Sequence, residues 1–97
     1  MAILLLSTEA CHLCELAQVE LQQAFSQSSV MQLAQQNDLQ IYLQDIIDRP
    51  LWLDQYGEKI PVLLDESSSL TLEWPFDASE VILWLEKIVA NTGPKPA

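Results

Sequence analysis

The feature that most constrains the fold is a short apolar run followed closely by two cysteines and an amphipathic segment. Ile3 to Leu6 is continuously apolar, and its brevity favours a strand buried on both faces. After a polar connection, Cys11-His12-Leu13-Cys14 opens a segment without Gly or Pro that extends to about Phe25. Apolar residues recur there at spacings of three and four, as on one face of a helix: Leu13, Ala17, Leu21 and Ala24. The pattern places the cysteine pair where a strand ends and a helix begins.

The middle of the chain predicts one strand and one or two further helices. Leu39 to Gln44 alternates apolar and polar side chains, which is typical of a strand near a sheet edge. A helix is predicted over Pro50 to Tyr56, because a proline opens it and Gly57 closes it. The segment from Ser26 to Asn37 is either a second short helix, opened by a capping box at Ser29, or a bent continuation of the first helix.

The C-terminal part of the chain predicts a hairpin followed by a helix. Ile60 to Leu64 and Leu70 to Trp74 are strand-like runs separated by a Ser-rich turn. Asp77 with Glu80 three residues later is typical of a helix N-terminus, and apolar residues at helical spacing then continue to about Ala90.

The order strand, helix, strand, helix, strand, strand, helix indicates an α/β fold. The first strand–helix–strand unit predicts a parallel strand pair, and the hairpin adds antiparallel strands. We therefore expect a four-stranded mixed sheet flanked by helices on both faces. A chain of 97 residues is too short for two hydrophobic cores. We expect one domain over residues 1–90 and a flexible tail over residues 91–97.

Charge and hydropathy exclude several classes of protein. Fourteen acidic residues against 4 basic ones give a formal net charge of −10, so the basic stripe that nucleic acids and anionic membranes require is missing. The first residues carry neither the basic start and longer apolar run of a signal peptide nor the roughly 20 apolar residues of a membrane helix. We therefore expect an acidic, monomeric protein of the cytoplasm.

Two cysteines separated by two residues suit redox or metal chemistry in a small cytosolic protein. The N-terminus of a helix lowers the pKa of a cysteine thiol through its partial positive charge and free N–H groups, so Cys11 is the candidate nucleophile. Cys14 lies one turn later, within reach of Cys11 and more buried, which suits a resolving thiol. The spacing alone is a weak signal, and two inert cysteines at a helix start are the alternative.

The other polar and acidic residues have fewer candidate functions than the two cysteines. His12, the only histidine, either lowers the pKa of the Cys11 thiol when protonated or faces solvent with little influence. A structural zinc ion needs four protein ligands, more than the cysteines and this histidine supply, so we predict no metal site within one chain. Carboxylates such as Asp45 and Asp48 are interpreted as caps, turn residues or a solvated face, which excludes a carboxylate-based hydrolase.

Together these motifs resemble the glutaredoxin-like branch of the thioredoxin superfamily. The resemblance rests on Leu4 to Thr8 before the cysteine motif, on Tyr56-Gly57, on Ile60-Pro61-Val62-Leu63, and on the Trp-Pro-Phe-Asp turn from Trp74 to Asp77. It implies the strand order 2-1-3-4, exchange between thiols and disulfides, and a cis peptide bond at Pro61 beside the cysteines. It also implies that the backbone of Ile60 pairs with a substrate peptide or with glutathione.

Three departures from the family pattern bear on glutathione. His12-Leu13 replaces the usual Pro-Tyr or Pro-Phe, Glu9 stands where a basic residue is usual, and Glu73 to Asp77 replaces a Gly-Gly-x-Asp turn. Asp77 either takes the family's acidic position in substrate binding or caps the last helix. Because glutathione is an anion and the chain is strongly acidic, we expect weak glutathione binding and no tightly bound cofactor.

The sequence thus predicts a cytosolic thiol–disulfide oxidoreductase of redox homeostasis, with Cys11 attacking and Cys14 resolving. Its expected partners are protein or small-molecule disulfides, and its expected reductant is a thioredoxin reductase or glutathione. Two other interpretations stay open: a redox-inactive thioredoxin-like binding module, and an iron–sulfur or metal carrier that draws further ligands from a second chain or added thiols.

Overall fold

The computed structural model describes residues 2–9 and 11–92, with the backbone alone at 91 and 92. In chain order its elements are β1 (Ala2–Ser7), α1 (His12–Phe25), α2 (Ser28–Gln36), β2 (Gln40–Asp45), a 3₁₀ turn (Ile46–Asp48), α3 (Pro50–Tyr56), β3 (Val62–Asp65), β4 (Leu70–Glu73) and α4 (Ala78–Thr92).

The four strands form one mixed sheet in the order β2-β1-β3-β4. β1 runs parallel to β2 and antiparallel to β3, and β3 and β4 form the antiparallel hairpin. The predicted α/β class, the mixed sheet and the strand order are confirmed. Because of this topology, β1 and β2 both finish at the same end of the sheet, and β3 begins at that end.

The continuous apolar run of β1 supplies two hydrophobic cores, one on each face of the sheet. Ile3 and Leu5 are buried in the larger core, against α1 and α4. Leu4 and Leu6 are buried in the smaller core, which Trp52 of α3 closes. Burying an aliphatic side chain of this size contributes about 1.5–3 kcal/mol. β1 is therefore held by hydrophobic packing on both faces, as far as the connection that leads to the cysteines.

The segment that the sequence leaves open between Ser26 and Asn37 is a second short helix, α2. It begins at Ser28, and its N-cap residue is Gln27, which makes no side-chain capping hydrogen bond. The N–H groups of Val30 and Met31 donate to the Gln27 carbonyl instead. The predicted capping box at Ser29 is therefore wrong, because the helix starts two residues too early for it.

The last helix, α4, continues beyond its predicted end. It extends to Thr92 rather than to about Ala90, so the first two residues of the predicted tail are helical. Residues 93–97 of that tail lie outside the described residues. No helix in the described part of the chain has the length and apolar character needed to span a membrane.

β2 forms one edge of the sheet, as its alternation indicates. Its apolar face is covered at the start and open at the end, because Leu39 is buried, Ile41 is half-buried and Leu43 is 63% exposed. The exposed C-terminal end of β2 lies at the same end of the sheet as the cysteine motif.

Candidate functional site

The cysteine motif lies at the junction of β1 and α1. Cys11 is the N-cap residue of α1, with an extended backbone at φ −96° and ψ 100°. Its Sγ accepts a hydrogen bond from the N–H of Cys14 at 3.1 Å. A sulfur atom thus takes the place of the side-chain oxygen that usually caps a helix, at the positive end of the helix dipole.

The two cysteines differ in accessibility. Their sulfur atoms are joined in a disulfide, with the Cα atoms 5.2 Å apart. Cys14 is only 3% exposed, whereas Cys11 is half-buried. An incoming group therefore reaches Cys11 more readily than Cys14.

His12 makes an exposed ion pair within the first turn of α1. Its Nδ1 lies 3.5 Å from Glu15 Oε2, and its side chain is 79% exposed. When His12 is protonated, the Glu15 carboxylate offsets its charge, and the surrounding water screens what is left. An influence of His12 on the pKa of Cys11 stays a prediction.

The strand register brings Pro61 to the end of β1. Leu6 pairs with Val62, so the next positions along the two antiparallel strands, Ser7 and Pro61, lie side by side. From this end of the sheet the chain continues to Cys11. The register thus places the proline and the start of the cysteine loop on neighbouring strand ends.

The backbone around Pro61 is largely engaged. The Ile60–Pro61 peptide bond is cis, and Pro61 is less than 2% exposed. The Pro61 carbonyl accepts from the Trp74 N–H at 3.1 Å, and the Ile60 N–H donates to the Tyr56 carbonyl at 3.1 Å. Because that N–H is already used, any pairing of Ile60 with a substrate backbone rests on its carbonyl oxygen.

The turn between β4 and α4 lies at the same end of the sheet. The Trp74–Pro75 bond is also cis, and the rings of Trp74 and Phe76 meet edge to face with centroids 5.1 Å apart. Phe76 is buried in the larger core, and half-buried Trp74 packs against that core. Asp77 Oδ1 accepts from the Glu80 N–H at 2.9 Å, so Asp77 caps α4. A role for Asp77 in substrate binding stays a prediction.

An acidic groove borders the connection from β1 to α1. It has a volume of about 420 Å³ and is lined by Ser7, Thr8, Glu9, Leu43, Gln44, Asp45 and Asp48. Asp45 Oδ1 accepts from the Ile47 N–H at 3.1 Å, and Asp48 Oδ2 accepts from Gln44 Nε2 at 2.9 Å. These partners are neutral, so no cation among them offsets the carboxylates of Asp45 and Asp48, and Glu9 adds a third acidic side chain to the lining. The sequence signal for this grouping is the position of the acidic residues at or just after the ends of two parallel strands, which lie at the same end of the sheet.

Asp65 is a buried carboxylate that the sequence does not reveal. It ends β3, is fully buried, and its Oδ2 accepts from Ser68 Oγ at 2.7 Å. Because Asp65 pairs with Ile3 at the start of β1, it lies at the opposite edge of the sheet from the cysteines. Its contacts place it in the structure of the β3–β4 turn.

Metal ligands are not grouped in the described part of the chain. Across residues 2–9 and 11–92, no set of three or more His, Cys, Asp or Glu side chains is placed to hold a metal ion.

A strand leading into Cys-x-x-C at a helix N-terminus, beside a proline at the head of an antiparallel strand, defines the thioredoxin-fold class. Thioredoxin 1 from Thermosipho africanus TCF52B shares this fold, with a TM-score of 0.56 and 19% sequence identity over 97% of this chain and 100% of that chain.

Greater similarity is found to the Northeast Structural Genomics target protein XcR50 from X. campestris. Its X-ray structure matches with a TM-score of 0.67 at 29% identity, over 88% of this chain and 96% of that chain. Its solution structure matches with a TM-score of 0.67 at 31% identity, over 90% and 95%. The sequence profile of the glutaredoxin-like domain (DUF836) matches residues 2–86, and the chain belongs to this family. A search of curated proteins finds no match.

Proposed function

We propose that this protein is a cytoplasmic thiol–disulfide oxidoreductase in which Cys11 is the nucleophile and Cys14 the resolving thiol. The observation that carries the proposal is the asymmetry of the pair: accessible Cys11 caps α1 and accepts the Cys14 N–H, while Cys14 is 3% exposed. Membership of a glutaredoxin-like family supports the same chemistry.

The reaction proceeds through one mixed disulfide. The Cys11 thiolate attacks one sulfur of a substrate disulfide, forms a bond to it, and releases the other sulfur as a thiolate that takes up a proton. The Cys14 thiolate then attacks Cys11 Sγ, which closes the intramolecular disulfide and releases the second substrate thiol. The substrate gains two electrons and two protons, and a reductant returns two electrons and two protons to the cysteine pair.

The local structure favours both steps. The helix dipole and the Cys14 N–H stabilise negative charge on Cys11 Sγ in the thiolate that attacks the substrate, and Cys11 Sγ is then the sulfur that Cys14 attacks. Cys14 lies one turn away on the same helix, so the second attack is intramolecular and needs no movement of the fold. The reductant is a thioredoxin reductase or glutathione, and the substrates are protein or small-molecule disulfides.

The acidic groove favours substrates with basic neighbours over glutathione. Glu9, Asp45 and Asp48 lie beside the connection to Cys11, so a carboxylate held there meets like charge. A disulfide flanked by Lys or Arg meets opposite charge instead. We therefore propose protein disulfides with basic flanks as the preferred substrates.

The experiment is insulin reduction, followed by turbidity, with each reductant in turn. The wild-type protein should accelerate the reaction with thioredoxin reductase and NADPH, and less so with glutathione and its reductase. Cys11→Ser should abolish the acceleration, while Glu86→Ala, an exposed change on α4, should leave it intact. A wild-type protein that is inert with both systems would contradict the proposal and favour the redox-inactive binding module instead.

A further inference from the structure

The outer side of β2 is an open strand edge. β2 is the first strand in the order β2-β1-β3-β4, so among the described strands it pairs with β1 alone, in an unbroken register. Edge strands usually carry lysine, proline or a bulge that discourages a further strand from pairing. From Gln40 to Gln44, β2 carries neither a charge nor a proline, and Asp45 is its first charged residue. The described strand therefore offers backbone N–H and C=O groups along an uncharged edge.

An apolar groove lies beside this edge, between β2 and α1. Its lining comes mainly from uncharged side chains of these two elements: Gln18, Leu21, Gln22, Phe25, Ile41 and Leu43. The groove has two parts, of about 280 Å³ and about 210 Å³, which share Leu21, Gln22 and Ile41. Leu43 is 63% exposed at its far end. Apolar side chains placed beside β2 on this face would therefore find apolar partners that are now exposed to water.

The apolar groove is continuous with the acidic groove, because Leu43 lines both. Along β2 the surface changes from apolar at Ile41 to acidic at Asp45, which are about 13 Å apart in an extended strand. Glu9, which also lines the acidic groove, precedes Cys11 by two residues. A segment that lies along β2 therefore ends beside the connection to the cysteine motif.

We propose that the β2 edge and the apolar groove form a docking site for an extended segment of a protein substrate, which adds to the sheet beside β2. Apolar side chains at alternate positions of the segment lie against Ile41 and Leu43, since alternate residues of a strand share one face. A Lys or Arg at the end of the segment lies beside the acidic groove. The inference deepens the proposed exchange function and rests on it, because it names the surface that holds a protein substrate with basic flanks.

Charge complementarity selects this occupant. The apolar groove leads to Glu9, Asp45 and Asp48, and the residues that line the acidic groove include no cation. A second copy of this chain carries the same formal net charge of −10, so its approach brings like charges together. The two grooves therefore fit a segment that is apolar along its length and basic at one end.

The test measures binding of a labelled, cysteine-free peptide to the oxidised protein by fluorescence anisotropy, and amide protection by hydrogen–deuterium exchange. The peptide has about eight residues, enough to span β2, with Val alternating with Thr and a pair of lysines at one end. It is made with the lysines at either end, because a strand adds in parallel or antiparallel orientation. One of the two peptides should slow exchange in β2 and not in β4, the other edge strand. Replacing its lysines by Glu should weaken binding about tenfold at low salt.

Variants of the protein locate the site. Leu43→Ala should weaken binding of that lysine peptide about three- to tenfold, because an apolar contact is lost. Leu43 is largely exposed, so the variant should fold as the wild type does. Leu83→Ala is the matched control and should bind as the wild type does, because Leu83 is 67% exposed on α4 and lines neither groove.

The inference is overturned if neither lysine peptide slows exchange in β2, if the Glu peptide binds as tightly, or if Leu43→Ala and Leu83→Ala bind alike. It is also overturned if the β2 amides that do not donate to β1 are already protected in the protein alone. Protection that rises with protein concentration would identify a second copy as the occupant, and constant protection would identify a segment of the same chain. Because the peptide has no cysteine, its docking is independent of thiol exchange. Insulin reduction by the same preparation reports separately on the proposed function, so the two failures are distinguishable.

Discussion

Cys11 Sγ accepts the hydrogen bond that a serine or aspartate oxygen accepts at most helix N-termini, and Cys11 is the more exposed of the two cysteines. The bond from the Cys14 N–H therefore stabilises the start of α1, and we expect it to stabilise the negative charge of a Cys11 thiolate in the reduced protein. Cys14 contributes its backbone to this contact while its own side chain is buried. The two cysteines are thus chemically unequal although they share one motif.

This inequality predicts a difference in alkylation rates. In reduced Cys14→Ser, Cys11 should react with iodoacetamide along a pH profile whose midpoint lies below the usual thiol pKa of about 8.5, because the helix N-terminus lowers the pKa of the thiol. In reduced Cys11→Ser, buried Cys14 should react more slowly at every pH. Mass spectrometry at timed intervals gives both rates, and equal profiles for the two variants would remove the assignment of roles.

At the scale of the helix, a substitution of Asp77 distinguishes its capping of α4 from a role in substrate binding. Asp77→Ala should lower the free energy of unfolding by about 1 kcal/mol, because the Glu80 N–H loses its acceptor. Urea unfolding measures the change. Asp54→Ala is the matched control, because Asp54 is exposed on α3 and the described structure shows no side-chain hydrogen bond to it.

The same variants test what Asp77 contributes to activity. We expect the rate of insulin reduction by Asp77→Ala to stay within about twofold of the wild type, since a lost cap shifts stability without touching the cysteines. A large loss of activity in a variant that remains folded would instead assign Asp77 to substrate binding.

Local sequence patterns predict most helices and strands of this fold, whereas its remaining features depend on tertiary contacts. The apolar run Ile3 to Leu6 and the proline at the start of α3 are strong local signals, and both elements form as expected. The segment around Gln27 carries a misleading signal, the Ser29 capping box, whereas the helix has Gln27 as its N-cap without a side-chain hydrogen bond. The contact between Glu20 and Ala78 depends on how α1 and α4 pack, which no local pattern contains.

Across the whole molecule, negative charge is poorly neutralised. The chain has a formal net charge of −10. Among the cations in the described residues, Arg49 stacks over the Trp52 ring at 4.6 Å, and Lys59 lies 3.9 Å from Glu73. Neither of these cations, nor Lys87 of α4, is among the residues that line the acidic groove, so the described lining is acidic like the molecule as a whole.

This distribution of charge predicts a preference among substrates. Of two peptides with the same disulfide, the one flanked by Lys should be reduced faster than the one flanked by Glu, and the difference should shrink between 0.01 M and about 1 M salt as screening increases. Initial rates at four salt concentrations measure it. Asp48→Asn, which removes one charge of the groove, should narrow the difference at low salt, whereas Asp54→Asn on α3 should not. A preference that does not change with salt would contradict an electrostatic origin.

The most direct test of the exchange chemistry is to trap its mixed disulfide. Reduced Cys14→Ser and Cys11→Ser are each mixed with a peptide disulfide, quenched in acid, and analysed by non-reducing mass spectrometry. The assignment of roles predicts that Cys14→Ser accumulates a mixed disulfide on Cys11, because the thiol that would resolve it is missing. Cys11→Ser should form little adduct, because Cys14 is buried. Equal trapping by both variants, or trapping by neither, would contradict the proposal that this pair is an exchange site with Cys11 as its nucleophile.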